Sequence, residues 1–165
     1  MVRDDQAYGN QFGIFIRHAR EVQVTGNRVS GNCQGILVLD DGQPGGAGNV
    51  AIVSNSVFGN NKLCPKNADT PVATQGGGIL LLGATFSRVA HNRVTGNSGS
   101  QFNSGGIVVL SAKMISHGSN PNFDTIAFNF AFRNHPADLR WDGTGIGVRF
   151  DGNACRTSIP GGLCH

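Results

Sequence analysis

A six-residue phrase returns along the chain, and its spacing restricts the fold more than any other feature. The copies read NRVSGN at 27–32, NSVFGN at 55–60, NRVTGN at 92–97 and, more weakly, NFAFRN at 129–134. After the first copy an apolar run opens with Gly-Ile, and similar runs begin at Gly13, Gly35, Gly78 and Gly106. Such self-similarity is typical of a protein built from stacked repeats.

The intervals between repeats favour short strands over helices. The first Asn of the phrase recurs at positions 27, 55, 92, 129 and 153, so successive intervals are 28, 37, 37 and 24 residues. Helical solenoids keep their helix lengths, whereas loops between short strands lengthen at little thermodynamic cost. The 25 Gly and the low charged fraction of 14% also disfavour helices. We therefore predict an all-β fold, a right-handed parallel β-helix of about five coils with a sixth begun, forming one domain over residues 1–165.

Stacking coils about 4.8 Å apart would place equivalent residues in columns. The predicted inward columns are Ile14, Ile36, Ile79, Ile107 and Leu139; Val24, Ile52, Val89, Ile126 and Phe150; and Val29, Val57, Val94, Ala131 and Cys155. We expect the Asn residues to form a hydrogen-bonded ladder at a corner and to adopt the left-handed backbone of a sharp bend there.

The first residues join this pattern partway through a coil. DQAYGN at 5–10 aligns with NRVSGN, and Asn10 stands three residues before Gly13 as Asn32 does before Gly35. Because solenoid ends need a cover, we expect the chain to lack an N-terminal cap of its own and to be part of a longer protein, or to dock its open end on a partner.

The four cysteines predict two disulfides. Stacking brings the corner of Cys33 near that of Cys64, and the Pro and Gly residues before Cys164 allow the tail to fold back to Cys155. Such bridges indicate an oxidising compartment and hence a secreted protein. Reduced cysteines in a cytosolic protein are the alternative.

Charge and composition disfavour several functional classes. The net charge is +3, and Lys and Arg are scattered singly, so we expect no nucleic-acid partner. There is no apolar run of about 18 residues that would span a membrane. The Cys and His spacings match no metal site, and we expect no metal or cofactor.

The outer face of the Gly-Ile strands is predicted to be apolar in its middle coils. Strand alternation points one set of side chains outward: Phe15, Arg17, Leu37, Leu39, Leu80, Leu82, Val108, Leu110, Arg140 and Asp142. An apolar stripe of this length needs a cover. Loops 40–48, 61–77 and 111–122, upstream sequence or another subunit of a homo-oligomer could supply it, and a groove for an apolar ligand is the alternative.

The repeat, together with the ending NACRTSIPGGLC at 153–164, resembles the pectate-lyase-like superfamily of parallel β-helix proteins, in particular secreted bacterial members. The resemblance implies a polysaccharide ligand on the outer face of one sheet. Asp40 and Asp41 resemble the paired carboxylates of polygalacturonase-type hydrolases, but the N-T-D, G-H-G and R-I-K motifs are absent. His18, one coil earlier, is a candidate acid or base.

Arg140 and Asp142 complete the set of candidate catalytic residues. Arg140 could neutralise a substrate carboxylate as in the lyases, and a surface ion pair with Asp142 is the alternative. Asp40 and Asp41 likewise have an alternative as residues of a turn before Gly42.

Two functions remain open. The first is a β-helix module of a secreted, carbohydrate-directed or surface-associated protein without a complete catalytic motif. The second is an enzyme: a polysaccharide lyase or hydrolase that uses these charged residues, or an isomerase or cyclase acting on an apolar ligand.

Overall fold

Three parallel sheets form the sides of a right-handed β-helix. The structure, a computed structural model, describes residues 1–164. Sheet A contains β1 (Val2–Arg3), β4 (Gln23–Thr25), β7 (Ala51–Val53), β10 (Arg88–Ala90), β13 (Thr125–Ala127) and β16 (Arg149–Asp151). Sheet B contains β2 (Gln6–Tyr8), β5 (Arg28–Ser30), β8 (Ser56–Phe58), β11 (Arg93–Thr95) and β14 (Phe130–Phe132). Sheet C contains β3 (Phe12–Arg17), β6 (Gln34–Leu39), β9 (Gly77–Leu82), β12 (Gly105–Leu110), β15 (Leu139–Trp141) and β17 (Ser158–Ile159).

Each coil visits the sheets in the order A, B, C, which confirms the predicted fold class. Five coils supply a strand to every sheet, and a sixth supplies β16 and β17 with a single bridge between Phe130 and Ala154 in sheet B. The described residues contain one helix, α1 (Lys113–Ser116). No helix in residues 1–164 has the length and hydropathy to cross a membrane.

The predicted columns form the interior. The strand register pairs Ile14 with Ile36, and Ile36 with Ile79, and the column continues through Ile107 to Leu139. The columns that begin at Val24 and at Val29 stack in the same way. Side chains of the middle coils in these columns have no exposed surface. Burial of one such aliphatic group contributes about 1.5 to 3 kcal/mol, so the columns are a main source of stability.

Close approach between coils explains why Gly precedes Ile in each copy of the repeat. A Cβ atom at Gly35 would contact the Gly78 carbonyl oxygen and the Val57 side chain, and one at Gly78 would contact the Gly106 carbonyl oxygen. Any larger residue would therefore push neighbouring coils apart.

The Asn residues form two ladders of buried side chains, as predicted. Asn92 shows one complete rung, since its Oδ1 accepts hydrogen bonds from the backbone N–H and the Nδ2 of Asn55 at 2.9 and 3.0 Å. Its own Nδ2 donates to Oδ1 of Asn129 at 3.0 Å and to the Ile52 carbonyl at 2.9 Å. One ladder contains Asn27, Asn55, Asn92, Asn129 and Asn153; the other contains Asn32, Asn60, Asn97 and Asn134 and ends on Asp138.

The left-handed backbone at these corners lies one residue earlier than predicted. Positive φ angles belong to the residues that precede the Asn: Gly26, Ser54, His91, Phe128 and Gly152 at one corner, and Gly31, Gly59, Gly96 and Arg133 at the other. The expectation for the Asn themselves was wrong. The chain completes its bend before each Asn, whose backbone N–H and amide are then both directed at the next coil.

Both predicted disulfides are present. Cys33 is bonded to Cys64 and Cys155 to Cys164, with Cα–Cα distances of 5.8 and 5.4 Å, and the structure records no free cysteine within residues 1–164. Two disulfides are compatible with an extracellular location.

A third corner carries a partial polar ladder that ends on a buried carboxyl group. The backbone N–H of Val50 donates to Ser87 Oγ at 3.3 Å, and that of Ser87 donates to Asp124 Oδ1 at 2.7 Å. Asp124 is fully buried, and its Oδ2 has no hydrogen-bond partner among the described residues. Burial raises the pKa of Asp124 to about 7, although the hydrogen bond from Ser87 acts in the opposite direction.

The substitution Asn92→Ala is predicted to destabilise the fold, because the residues that hydrogen-bond to Asn92 lose these bonds. It removes the acceptor of the buried Asn55 backbone N–H and of one Asn55 Nδ2–H, and it removes a donor to the buried Ile52 carbonyl, at about 1 to 3 kcal/mol for each group left unpaired. We expect the free energy of unfolding in urea to fall by about 3 kcal/mol or more. Asn10→Ala is the matched control, because Asn10 is exposed and the structure records no side-chain hydrogen bond for it within residues 1–164. Equal losses in the two variants would contradict a special role for the ladder.

A second prediction concerns pH. The pKa of Asp124 is raised in the folded state, so the unfolded chain releases this proton first as the pH rises. The stabilising contribution of the neutral carboxyl group is complete below about pH 4 and is lost as the pH rises to about 7, a change on the order of 4 kcal/mol. Asp124→Asn should remove this dependence and unfold at higher urea concentration than the wild type at pH 8. The exposed control Asp69→Asn should not, and a wild-type advantage over Asp124→Asn at pH 8 would refute the assignment.

Candidate functional site

The predicted apolar face exists on the outside of sheet C. Leu37, Leu80, Leu82, Val108 and Leu110 form a second apolar cluster, separate from the interior, and each is at most 8% exposed. Phe12, Leu39 and Ile115 pack against its edges. The chain therefore covers most of this face with its own residues.

Three loops from two successive coils form the cover, which we call the roof and define as residues 61–76, 98–104 and 111–119. Residues 61–76 are tied down by the Cys33–Cys64 bond and by an antiparallel bridge between Cys64 and Thr74. Two of the predicted covering loops thus contribute, and the stretch at 98–104 was missed. In the remaining predicted loop, 40–48, residues 42–43 and 45–47 line a separate polar depression beside Arg20 and Thr85.

A cleft of about 260 Å³ remains between sheet C and the roof. Its apolar lining consists of Phe12, Phe15, Leu37, Leu39, Pro71, Val72, Leu80, Leu82, Phe102 and Ile115. The rings of Phe12 and Phe15 stack with their centroids 4.7 Å apart, and Phe15 remains 42% exposed. The cleft therefore combines an exposed aromatic side chain at its mouth with a buried apolar floor.

The roof also places unmatched polar atoms in the cleft wall. Thr74 and Asn103 both line the cleft and are 3% and 2% exposed. Thr74 Oγ1 and Asn103 Oδ1 have no hydrogen-bond partner among the described residues. Buried polar groups are normally paired, so these two atoms favour a ligand that carries hydrogen-bonding groups.

Three of the charged residues near the cleft meet at one end of it. The Arg17 Nε donates to Asp41 Oδ2 at 2.8 Å, and His18 Nδ1 lies 3.3 Å from Asp41 Oδ1. Mainly because of the hydrogen bond from Arg17, the pKa of Asp41 lies below its usual range. Asp41 is therefore a carboxylate at neutral pH and suits a hydrogen-bond acceptor or a base better than an acid. His18, which was expected near Asp40, contacts Asp41 instead.

Asp40 connects its own turn to the roof segment 116–119 through hydrogen bonds. It is 3% exposed, and its two carboxylate oxygens accept the backbone N–H groups of Gly42 and Ser119 at 3.0 and 2.8 Å. Its carbonyl oxygen accepts a hydrogen bond from Ser116 Oγ at 2.7 Å. These contacts account for a buried Asp at this position and match the turn interpretation of the sequence.

Arg140 and Asp142 contact the roof from the far coil. Arg140 donates to the carbonyls of Phe102 and Ser104 at 3.0 and 2.6 Å, and burial lowers its pKa. Asp142 accepts the Ser111 backbone N–H at 2.7 Å and the Thr144 hydroxyl at 2.6 Å. The structure records no ion pair between these two side chains, contrary to the alternative drawn from the sequence, because each already has backbone partners.

Sequence reasoning located the floor of the cleft and its charged end but missed Thr74, Asn103 and Phe102. These three lie in loops without a repeated counterpart. Phe12 was missed as well, because strict strand alternation places it on the same side as the inward Ile14, whereas it packs against the outer cluster. No group of three or more His, Cys, Asp or Glu side chains in residues 1–164 is placed to hold a metal ion.

Parallel coils with uneven loops on one side define the protein as a β-solenoid that carries a cleft on one face. The chain belongs to the family described as "Right handed beta helix region", whose model matches residues 1–123. Searches of curated proteins and of solved structures gave no match.

The roof should depend on its disulfide. Replacing Cys33 and Cys64 together by Ala should lower the free energy of unfolding by about 2 to 4 kcal/mol, because the unfolded chain is no longer crosslinked. Trypsin should also cut the native protein faster after Lys62 or Lys66, as followed by mass spectrometry. Replacing Cys155 and Cys164 by Ala is the matched control and should leave roof cleavage unchanged. Unchanged cleavage in the first variant would show that the roof is held without the bond.

Proposed function

We propose that this chain is a carbohydrate-binding β-helix module of a secreted protein, and that the cleft under the roof holds the sugar. The proposal rests on one observation, the combination in a single cleft of an apolar floor with buried, unmatched polar atoms on Thr74 and Asn103. A sugar ring matches both features of the cleft. Its C–H faces pack on apolar and aromatic side chains, and its hydroxyls donate and accept hydrogen bonds.

The rim and the charged end support the same ligand class. The exposed Phe15 ring provides an open apolar surface at the mouth of the cleft. Arg17 and Asp41 form a donor and acceptor pair within reach of a ligand in it. Most pockets for small ligands share this design, in which apolar walls supply affinity and a few placed polar groups fix orientation.

A binding role without catalysis fits the carboxylates best. Glycoside hydrolysis ordinarily uses two carboxyl groups with different pKa values, one protonated and one ionised. Of the candidates, Asp40 and Asp142 accept hydrogen bonds from the backbone of the loops, and Arg140 donates to the roof. Asp41 is the one predicted acid that lines the cleft, and it shares the lining with Asp69, an exposed residue of the roof that the repeat did not predict.

A second candidate function, acid–base catalysis in the cleft, is favoured by the contact between His18 and Asp41. A carboxylate beside one ring nitrogen of a histidine orients the ring and fixes its tautomer, which leaves the other nitrogen free to take a proton. The lyase, hydrolase, isomerase and cyclase alternatives all require such a base.

Binding of neutral oligosaccharides by isothermal titration calorimetry tests the first proposal. Among cello-, xylo- and manno-oligosaccharides we expect at least one to bind. Thr74→Val should weaken that binding about 5- to 10-fold through loss of one hydrogen bond, without lowering the urea midpoint, because the hydroxyl has no partner in the protein. Phe15→Ala should weaken it comparably, whereas Phe86→Ala, at an exposed Phe that does not line the cleft, should not.

The outcomes separate the two candidates. Absence of binding across the panel, or binding that is insensitive to both cleft variants, would reject the carbohydrate proposal. Release of new reducing ends or of unsaturated products, abolished by His18→Ala and by Asp41→Asn, would establish the catalytic candidate instead.

A further inference from the structure

A second surface, on the outer face of sheet B and separate from the cleft on sheet C, gathers arginine and aromatic side chains. Strand alternation turns the middle residue of each sheet B strand inward and its two neighbours outward. The strand register orders these neighbours into two outward columns: Gln6, Arg28, Ser56, Arg93 and Phe130; and Tyr8, Ser30, Phe58, Thr95 and Phe132. Neither column contains an acidic residue, so the face carries positive charge only.

The arginines lie against the rings of neighbouring coils. The guanidinium carbon of Arg28 lies 4.4 Å from the centre of the Phe58 ring, and that of Arg93 lies 4.9 Å from the centre of the Phe130 ring. A planar guanidinium held on a ring in this way is orientated in advance, and its N–H groups remain free for an anion. An arginine thus lies on a ring of the next coil at two places along the axis.

A shallow groove of about 670 Å³ crosses the later coils of this face. It is lined by Phe58, Gly59, Arg93, Thr95, Gly96, Phe130, Phe132, Arg133 and Arg156. Within residues 1–164 the structure records no ion pair and no side-chain hydrogen bond for Arg93, Arg133 or Arg156. Three guanidinium groups therefore face one groove without an anionic partner from the described chain.

We propose that the outer face of sheet B binds an anionic polysaccharide, whose carboxylate or sulfate groups pair with Arg93, Arg133 and Arg156. Guanidinium groups bind both kinds of anion through paired N–H···O contacts. Repetition favours a linear polymer, because Arg28 and Arg93 are two coils apart, roughly 10 Å along the axis. Sugar hydroxyls find partners in Ser30, Ser56 and Thr95, which share the columns.

The same observations disfavour a single-stranded nucleic acid. Such ligands bind by stacking their bases on open aromatic faces. Here arginine guanidinium groups already pack on the Phe58 and Phe130 rings. The Phe130 and Phe132 rings also pack against each other, with their centroids 4.4 Å apart. The compatibility of two disulfides with an extracellular location also suits a glycan.

Titration of the intact protein with heparin, polygalacturonate, neutral dextran and single-stranded DNA at low salt tests the proposal. We expect binding of the sulfated or the carboxylated polymer, no binding of dextran, and weakening of the interaction at high salt. The triple variant Arg93→Gln, Arg133→Gln and Arg156→Gln should lose about 10- to 100-fold in affinity. The matched control replaces Arg3, Arg88 and Arg149 by Gln, which changes the net charge equally on the exposed face of sheet A.

Each outcome supports or overturns the proposal. Loss confined to the sheet B variant supports it, and the preferred polymer then assigns the anion as carboxylate or sulfate. Equal loss in both triple variants would show non-specific attraction by net charge and overturn it, as would absence of binding to either anionic polymer. Tighter binding of single-stranded DNA than of both polymers would assign the face to nucleic acid. Thr74→Val and Phe15→Ala should leave this binding unchanged, so the test is independent of the cleft.

Discussion

The amide-to-amide hydrogen bonds of the buried Asn ladders are the constraint on which the rest of the structure depends. At each corner the chain must turn tightly and still satisfy its backbone N–H groups away from water. An Asn from the next coil provides an oxygen for that N–H and continues the chain of donors with its own nitrogen, as Asn92 does between Asn55 and Asn129. Because each Asn is fixed by its neighbours in both directions, the coils cannot slip relative to one another. Register is thereby set for every strand between the corners.

Fixed register explains why so much of the fold was predictable. Residues that repeat, such as Val29, Val57 and Val94, meet their counterparts in the next coil, so the interior, the outer face of sheet C and the cysteine pairing all followed from alignment of the repeat. Residues outside the repeat have no counterpart from which to infer a position. Thr74 and Asn103 belong to loops of unequal length, and nothing in their local sequence indicates that they meet in one cleft wall.

The positions of the charged residues were also not predictable from the repeat alone. Asp40 and Asp41 are adjacent in sequence, yet one is buried in backbone hydrogen bonds and the other lines the cleft, a difference that depends on where residues 116–119 return. Conversely, Arg93, Arg133 and Arg156 are far apart in sequence and looked unrelated, but coil stacking collects them in one groove. A scattered charge distribution in a solenoid sequence therefore does not imply a scattered distribution in space.

The close contact of successive coils at the Gly-Ile strands has a consequence for how such a protein can change. Gly35 and Gly78 leave no space for a side chain, so the scaffold tolerates almost no variation where the coils touch. The segments that cover the cleft leave and re-enter the scaffold at fixed points, and surface insertions cost little. Natural variants can therefore acquire a new binding specificity by exchanging the covering segments alone, while the stack beneath them is inherited intact.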